Sequence, residues 1–123
     1  MSRFLALLAA CFLIGHAAAG APASLVGVWV EVNGPGAAMI GQCADQSGQL
    51  CAIGLDRRVM KPSAPAQVVL SGLEPAGAGR WDGRYHEGSR KLPATVRMTG
   101  EHSVTMKVCI FIVCQSASYV RRP

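Results

Sequence analysis

The sequence predicts an all-β domain: a small antiparallel up-and-down β-barrel of about eight short strands, preceded by a cleaved signal helix. Three observations carry this. Helical periodicity is nearly absent beyond the first nineteen residues, where short alternating runs are separated by turn clusters instead. The turn clusters are Asn33-Gly34-Pro35-Gly36, Gln46-Ser47-Gly48, Lys61-Pro62-Ser63-Ala64-Pro65, Glu74-Pro75-Ala76-Gly77-Ala78-Gly79 and Glu87-Gly88-Ser89. Finally, four cysteines fall in two close pairs, Cys43 with Cys51 and Cys109 with Cys114, the spacing of hairpin staples.

The N-terminus reads as an export signal, residues 1–19. Arg3 supplies the positive n-region, Phe4 to Ile14 an apolar stretch too short for a permanent span, and Ala17-Ala18-Ala19 a small-residue cleavage site. Leu8-Ala9-Ala10-Cys11 looks like a lipoprotein box, but the apolar run continues through Phe12-Leu13-Ile14, so Cys11 is expected to leave with the signal. The remainder, residues 20–123, is expected to form a single disulfide-stapled domain in a periplasmic or secreted location, with no stable transmembrane segment.

The strands are expected at 25–32, 38–44, 50–55, 67–70, 80–86, 94–99, 103–109 and 114–121. The stretch between Pro62 and Pro65 is expected to be irregular or a sheet edge. One hairpin fixes its own register. Val96 and Met98 alternate with polar residues, as do Val104, Met106 and Val108, so a Gly100-Glu101-His102 loop sets Met98 opposite Val104 and Val96 opposite Met106. The same logic sets Cys43 opposite Cys51 across a turn with Gly48 left-handed, and Cys109 opposite Cys114 across Phe111-Ile112. Four cysteines allow three pairings, and these local ones are preferred. A four-cysteine zinc site lacks a paired-cysteine knuckle and is disfavoured in an exported chain.

Composition restricts function. The formal charge is +5, and loss of Arg3 with the signal leaves +4. The cations are dispersed rather than clustered, and the mature aromatics (Trp29, Trp81, Tyr85, Phe111 and Tyr119) make no base-stacking platform, so no nucleic-acid partner is expected. Attraction to anionic envelope polymers or lipid heads fits the charge better. No nucleophile elbow, metalloprotease motif or phosphate loop is present, and no acid is spaced with a histidine or serine as a catalytic set. The chain is therefore read as a non-enzyme with no catalytic residues. Met98, His102 and Met106 are ligand types that suit Cu(I), but the register turns both methionines into the core, so no metal and no cofactor are expected.

Gly27-Val28-Trp29 at the start of the first strand, with Arg121 at the end of the last, resembles the closure of lipocalin-like barrels. The resemblance implies that Trp29 closes one barrel end and that Arg121 packs across its indole face. Four further segments carry a second likeness: Leu50-Cys51, Gly79-Arg80-Trp81-Asp82-Gly83-Arg84-Tyr85, Val104-Thr105-Met106-Lys107-Val108-Cys109, and Cys114-Gln115-Ser116-Ala117-Ser118-Tyr119-Val120-Arg121. Together they are similar to an exported bacterial family, domain-of-unknown-function family 2147. The chain departs from that pattern at Ala52, Ala117 and Tyr119, where glycine, glutamine and tryptophan are usual, and in a shortened turn at His86–Lys91. The resemblance implies a small exported barrel and brings no known activity.

The functional expectation is an exported, monomeric binding protein of the bacterial envelope. It engages a small apolar ligand or an envelope component at the barrel mouth through Trp81, Tyr85, Phe111 and Ile112. The alternatives are a secreted inhibitor of a protease or lysozyme, and a structural envelope protein without a small ligand. The apolar run Ile110-Phe111-Ile112-Val113 has three readings: a lid folded over the mouth, which is preferred, an exposed apolar knob, or part of one continuous buried strand. Trp29, Trp81, Tyr85 and Tyr119 are the aromatic candidates for the interior, which an eight-stranded barrel either fills or leaves as a small cavity.

Overall fold

A computed structural model describes residues 24–123. The expected export signal, Cys11 and the four residues after the expected cleavage site lie outside the described residues. The strands are β1 (Gly27–Glu31), β2 (Ala37–Gln42), β3 (Leu50–Asp56), β4 (Lys61–Pro62), β5 (Val68–Gly77), β6 (Arg80–Glu87), β7 (Arg90–Gly100), β8 (Ser103–Ile110) and β9 (Val113–Arg121). Every pairing is antiparallel, consecutive strands pair except that β3 passes over β4 to pair with β5, and β1 pairs with β9 to close the ring. The result is an up-and-down barrel of eight strands, with the two-residue β4 attached to the end of β3.

Alternation sets the β7–β8 register as expected. Val96 faces Met106 and Met98 faces Val104. Val96 and Val104 are buried, and both methionines pack against the core. β5 is the main departure, because it continues through residues expected to be a turn. A left-handed Gly72 (φ 61°) accompanies a register shift between Ser71 and Glu74. The bulge turns both Leu70 and Leu73 inward, three positions apart, so a period-2 reading stops at Leu70. Only Ala78 and Gly79 remain as the connection to β6. Outside the bulge, Ser71 Oγ and His86 Nε2 lie 2.6 Å apart and fasten β5 to β6.

Both local cysteine pairs are disulfides, consistent with an oxidising environment. Cys109 and Cys114 are direct cross-strand partners, as expected. Cys43 is not opposite Cys51: the ladder puts Gly41 there, and the Cys43 amide donates to the Gln49 carbonyl. The bridge is diagonal because the connecting loop is longer than a tight hairpin and uses left-handed Gln46 as well as Gly48. No helix among the described residues is long and apolar enough to cross a membrane.

Candidate functional site

The two barrel ends differ. One receives the N-terminal strap, the β2–β3 loop and the β5–β6 and β7–β8 turns. It is closed by Trp29, which is 2% exposed and donates its indole N–H to the Leu25 carbonyl at 2.9 Å. The Arg121 guanidinium carbon lies 4.4 Å from the Trp29 ring centroid. Its Nη1 and Nη2 donate to the carbonyls of Val26 (2.8 Å) and Ser24 (2.6 Å), binding the strap across the barrel floor. Gly27 is required for this approach. Its φ is 147°, and a Cβ there would stand 2.7 Å from Arg121 Nη1.

Above the Trp29 floor lies a cavity of about 300 Å³. Its walls are apolar, with Ile40, Leu70, Val104 and Met106 surrounding the small side chains of Ala38 and Ala52. The alanines leave the space: Ala38 lies between Trp29 and Gly54, and Ala52 between Ile40 and Leu70, so each small side chain leaves a gap beside a large one. Volume and lining match the small end of ligand pockets.

The rim carries the polar groups: Glu31, Tyr85 and Tyr119. Glu31 and Tyr119 are cross-strand partners in the β1–β9 seam. The β1–β2 loop curls over the Glu31 carboxylate, and the Gly36 amide donates to Oε1 at 3.1 Å. A Cβ on Gly34 or Gly36 would lie 2.5 or 2.6 Å from that carboxylate, so the loop's glycines allow the cover. Arg57 donates to the Gly34 carbonyl and ties the loop across the rim to the segment after β3. Burial holds the Tyr119 phenol above its ordinary pKa, and the negative charge of Glu31 and the neighbouring Tyr85 push the same way. Tyr119 is thus a neutral hydroxyl beside a carboxylate at the mouth of an apolar hole.

The residues expected to form one binding site are not all brought together. Tyr85 lines the cavity. Trp81 does not: it is 8% exposed, belongs to the packed core and pairs with Pro75 beside the β5–β6 turn. Phe111 and Ile112 are each 96% exposed, which overturns the lid and the buried-strand readings of this run. The cause lies in the pairing. β8 leaves β7 after Val108, and β9 is laddered to β1 only from Tyr119 onward, with one further bond from the Val32 amide to the Ser118 carbonyl. The β8–β9 ribbon therefore stands clear of its neighbours beyond Val108. Pro93 sits in β7 where β8 departs, a position with no ladder bond to lose.

The expected site missed Glu31 and the covering glycines. Their signal is Glu31 followed by Asn33-Gly34-Pro35-Gly36, a turn able to fold back on the acid before it. Met98 and Met106 lie along the inner wall while His102 is in an exposed turn beside Glu101, so these three do not converge. Among the described residues no cluster of three or more histidine, cysteine or acidic side chains is placed to hold a metal ion. The Ser71–His86 pair has no carboxylate bonded to the histidine among the described residues, and it lies outside the cavity. No protein-family model, curated protein or solved structure matches this chain.

Proposed function

We propose that this protein is an exported, non-enzymatic carrier that holds one small, largely apolar ligand in the barrel, with a polar end at the rim. The observation that carries the reading is the apolar cavity of about 300 Å³, floored by Trp29 and rimmed by Glu31, Tyr85 and Tyr119. Tyrosine hydroxyls and an acceptor carboxylate suit a ligand that donates a hydrogen bond or carries a positive charge at one end. A free fatty acid fits poorly, since its carboxylate would face Glu31. The periplasm or the outside of a bacterial cell is the proposed location, and membership of domain-of-unknown-function family 2147 remains part of the proposal.

Native and denaturing mass spectrometry of protein recovered from its own host tests the reading. A small molecule retained in the native spectrum and released on denaturation is the expected result. Ala38→Phe, which fills the hole, should abolish retention while circular dichroism stays that of a barrel, and Ala38→Val should reduce it. Unchanged retention in the filled variant would place the ligand elsewhere and end the proposal. Phe111 lies on the ribbon, so Phe111→Asp should leave cavity binding intact.

A further inference from the structure

The ribbon beyond Val108 is built to present its tip. Ile110 is 39% exposed, Val113 66%, and Phe111 and Ile112 almost completely. Phe111 also takes a left-handed conformation, φ 56°, which is costly for a bulky aromatic and easy for glycine. A turn selected for stability alone would carry glycine or asparagine there. The Cys109–Cys114 bridge sits immediately behind the turn and holds a two-stranded ribbon that has no sheet neighbours of its own. Four consecutive apolar residues held in solvent, one of them in a left-handed turn position, form a patch suited to an apolar medium.

Charge identifies the medium. At the Trp29 end, Arg80, Arg97, Arg121 and Arg122 are matched in number by Asp45, Glu74, Asp82 and Glu101. The opposite end, from which the ribbon projects, carries the domain's excess positive charge. Arg57, Arg58 and Lys61 follow β3, and Arg90 and Lys91 occupy the β6–β7 turn. Arg84 is exposed on the adjoining wall, while Lys107 lies midway, on the rung shared by Thr95 and Asp82. Against them stand Asp56, paired with Arg58, Glu87, paired with Arg90, and Glu31, covered by its loop. An apolar finger among cations at one pole complements an anionic bilayer surface, whose headgroups attract each nearby lysine or arginine and whose acyl boundary receives the aromatic.

We propose that the β8–β9 tip inserts into the interface of an anionic phospholipid membrane, with the surrounding lysines and arginines on the headgroups and the cavity rim turned toward the lipid. This surface is distinct from the cavity and does not depend on the cavity being filled.

Vesicle flotation of the oxidised protein tests it, using phosphatidylglycerol–phosphatidylcholine mixtures against phosphatidylcholine alone. The protein should float with the anionic vesicles, remain below the neutral ones, and be released by high salt. Phe111→Gly with Ile112→Ser should weaken partitioning ~tenfold or more while leaving the urea midpoint unchanged or raised, because the strain at position 111 is relieved. Lys61→Gln with Lys91→Gln should weaken it roughly tenfold or more. Phe111→Trp should shift its emission to the blue on anionic vesicles and be quenched by brominated lipid. Ala38→Phe should leave flotation unchanged, which separates this proposal from the carrier reading. Equal flotation on neutral and anionic vesicles, no flotation, or full binding by the tip variant would overturn it. So would lipid-free self-association that the tip variant abolishes, since the occupant would then be a second copy.

Discussion

Replacing Arg121 by methionine tests how the barrel floor is held. The change keeps an apolar stem over Trp29 and removes the guanidinium. It deletes a cation–π contact with the ring centroid at 4.4 Å and two donations to the strap carbonyls of Val26 and Ser24. An isolated cation–π contact contributes about 0.5–1 kcal/mol when partly exposed. Hydrogen bonds from a charged donor contribute about 1.5–3 kcal/mol each when buried. Water can replace these two, so roughly a third of that is a fair figure for each, and the loss comes to about 2 kcal/mol. For a domain of this length that lowers Tm by roughly 10 °C. The strap carries Leu25, 1% exposed, beneath the indole, so its release also uncovers the core.

Urea denaturation followed by tryptophan fluorescence reads the effect directly, since Trp29 is the residue uncovered. Arg121→Lys should recover roughly half, because an ammonium keeps one contact but cannot span two carbonyls and an aromatic face. Arg122→Met is the control: its side chain is exposed and its backbone bond to Val28 is untouched, so it should change stability by less than about 0.5 kcal/mol. Gly27→Ala should destabilise in the wild type and less in the Arg121→Met background, because the Cβ meets Arg121 Nη1 at 2.7 Å. If Arg121→Met matches wild type, or Arg122→Met is equally damaging, the guanidinium clamp is not what fastens the floor.

Two further outcomes follow from other parts of the molecule. Cys109→Ser with Cys114→Ser opens a bridge between residues five apart, worth about 2 kcal/mol of loop entropy. Because the ribbon has no sheet neighbours beyond Val108, amide exchange there should rise ~30-fold while the barrel's urea midpoint barely moves; a large global loss with an unchanged ribbon would contradict the free-standing geometry. Acid should destabilise the fold through Asp45, Asp56 and Asp82, whose pKa values are lowered by hydrogen bonds from Ser47, Arg58 and Arg80 respectively. Folding binds these protons more weakly than the unfolded chain, so the stabilisation is present above the ordinary 3.8 and is lost as pH falls through the lower folded values. The urea midpoint should decline more shallowly with acid in Asp82→Asn; an identical decline would remove Asp82 from the account.

Much of this barrel could be read from the chain because one buried face imposes period 2. Val96, Met98, Val104 and Met106 fix their hairpin by alternation, and the cysteine spacings name their partners. The second half of β5 was illegible for the same reason inverted. Gly72 rotates the strand, so Leu70 and Leu73 both face inward at a spacing that period 2 does not contain. The cavity is harder still, since Ala38 and Ala52 are inconspicuous in a sequence, and a hole exists only once their neighbours are placed. Glu31 looked like one acid among seven. Its role at the rim depends on a loop doubling back over it.

The ribbon shows why composition can suggest chemistry and still misplace it. Ile110–Val113 is apolar enough to belong to a core, and a lid over the mouth would satisfy that preference. What prevents it is the ladder. β7 and β1 stop pairing with β8 and β9 before the tip, so nothing draws the tip back toward the rim. The disulfide then stabilises the exposed geometry by restricting what the freed ribbon could otherwise become. The contacts that fix the closed end (Trp29, Arg121, the strap and the diagonal Cys43–Cys51 bridge) lie at the opposite pole from the tip. Substitutions at the tip should therefore alter what the protein touches and leave its folding alone. Substitutions at Trp29 or Arg121 should act first on stability, and only through it on anything the cavity holds.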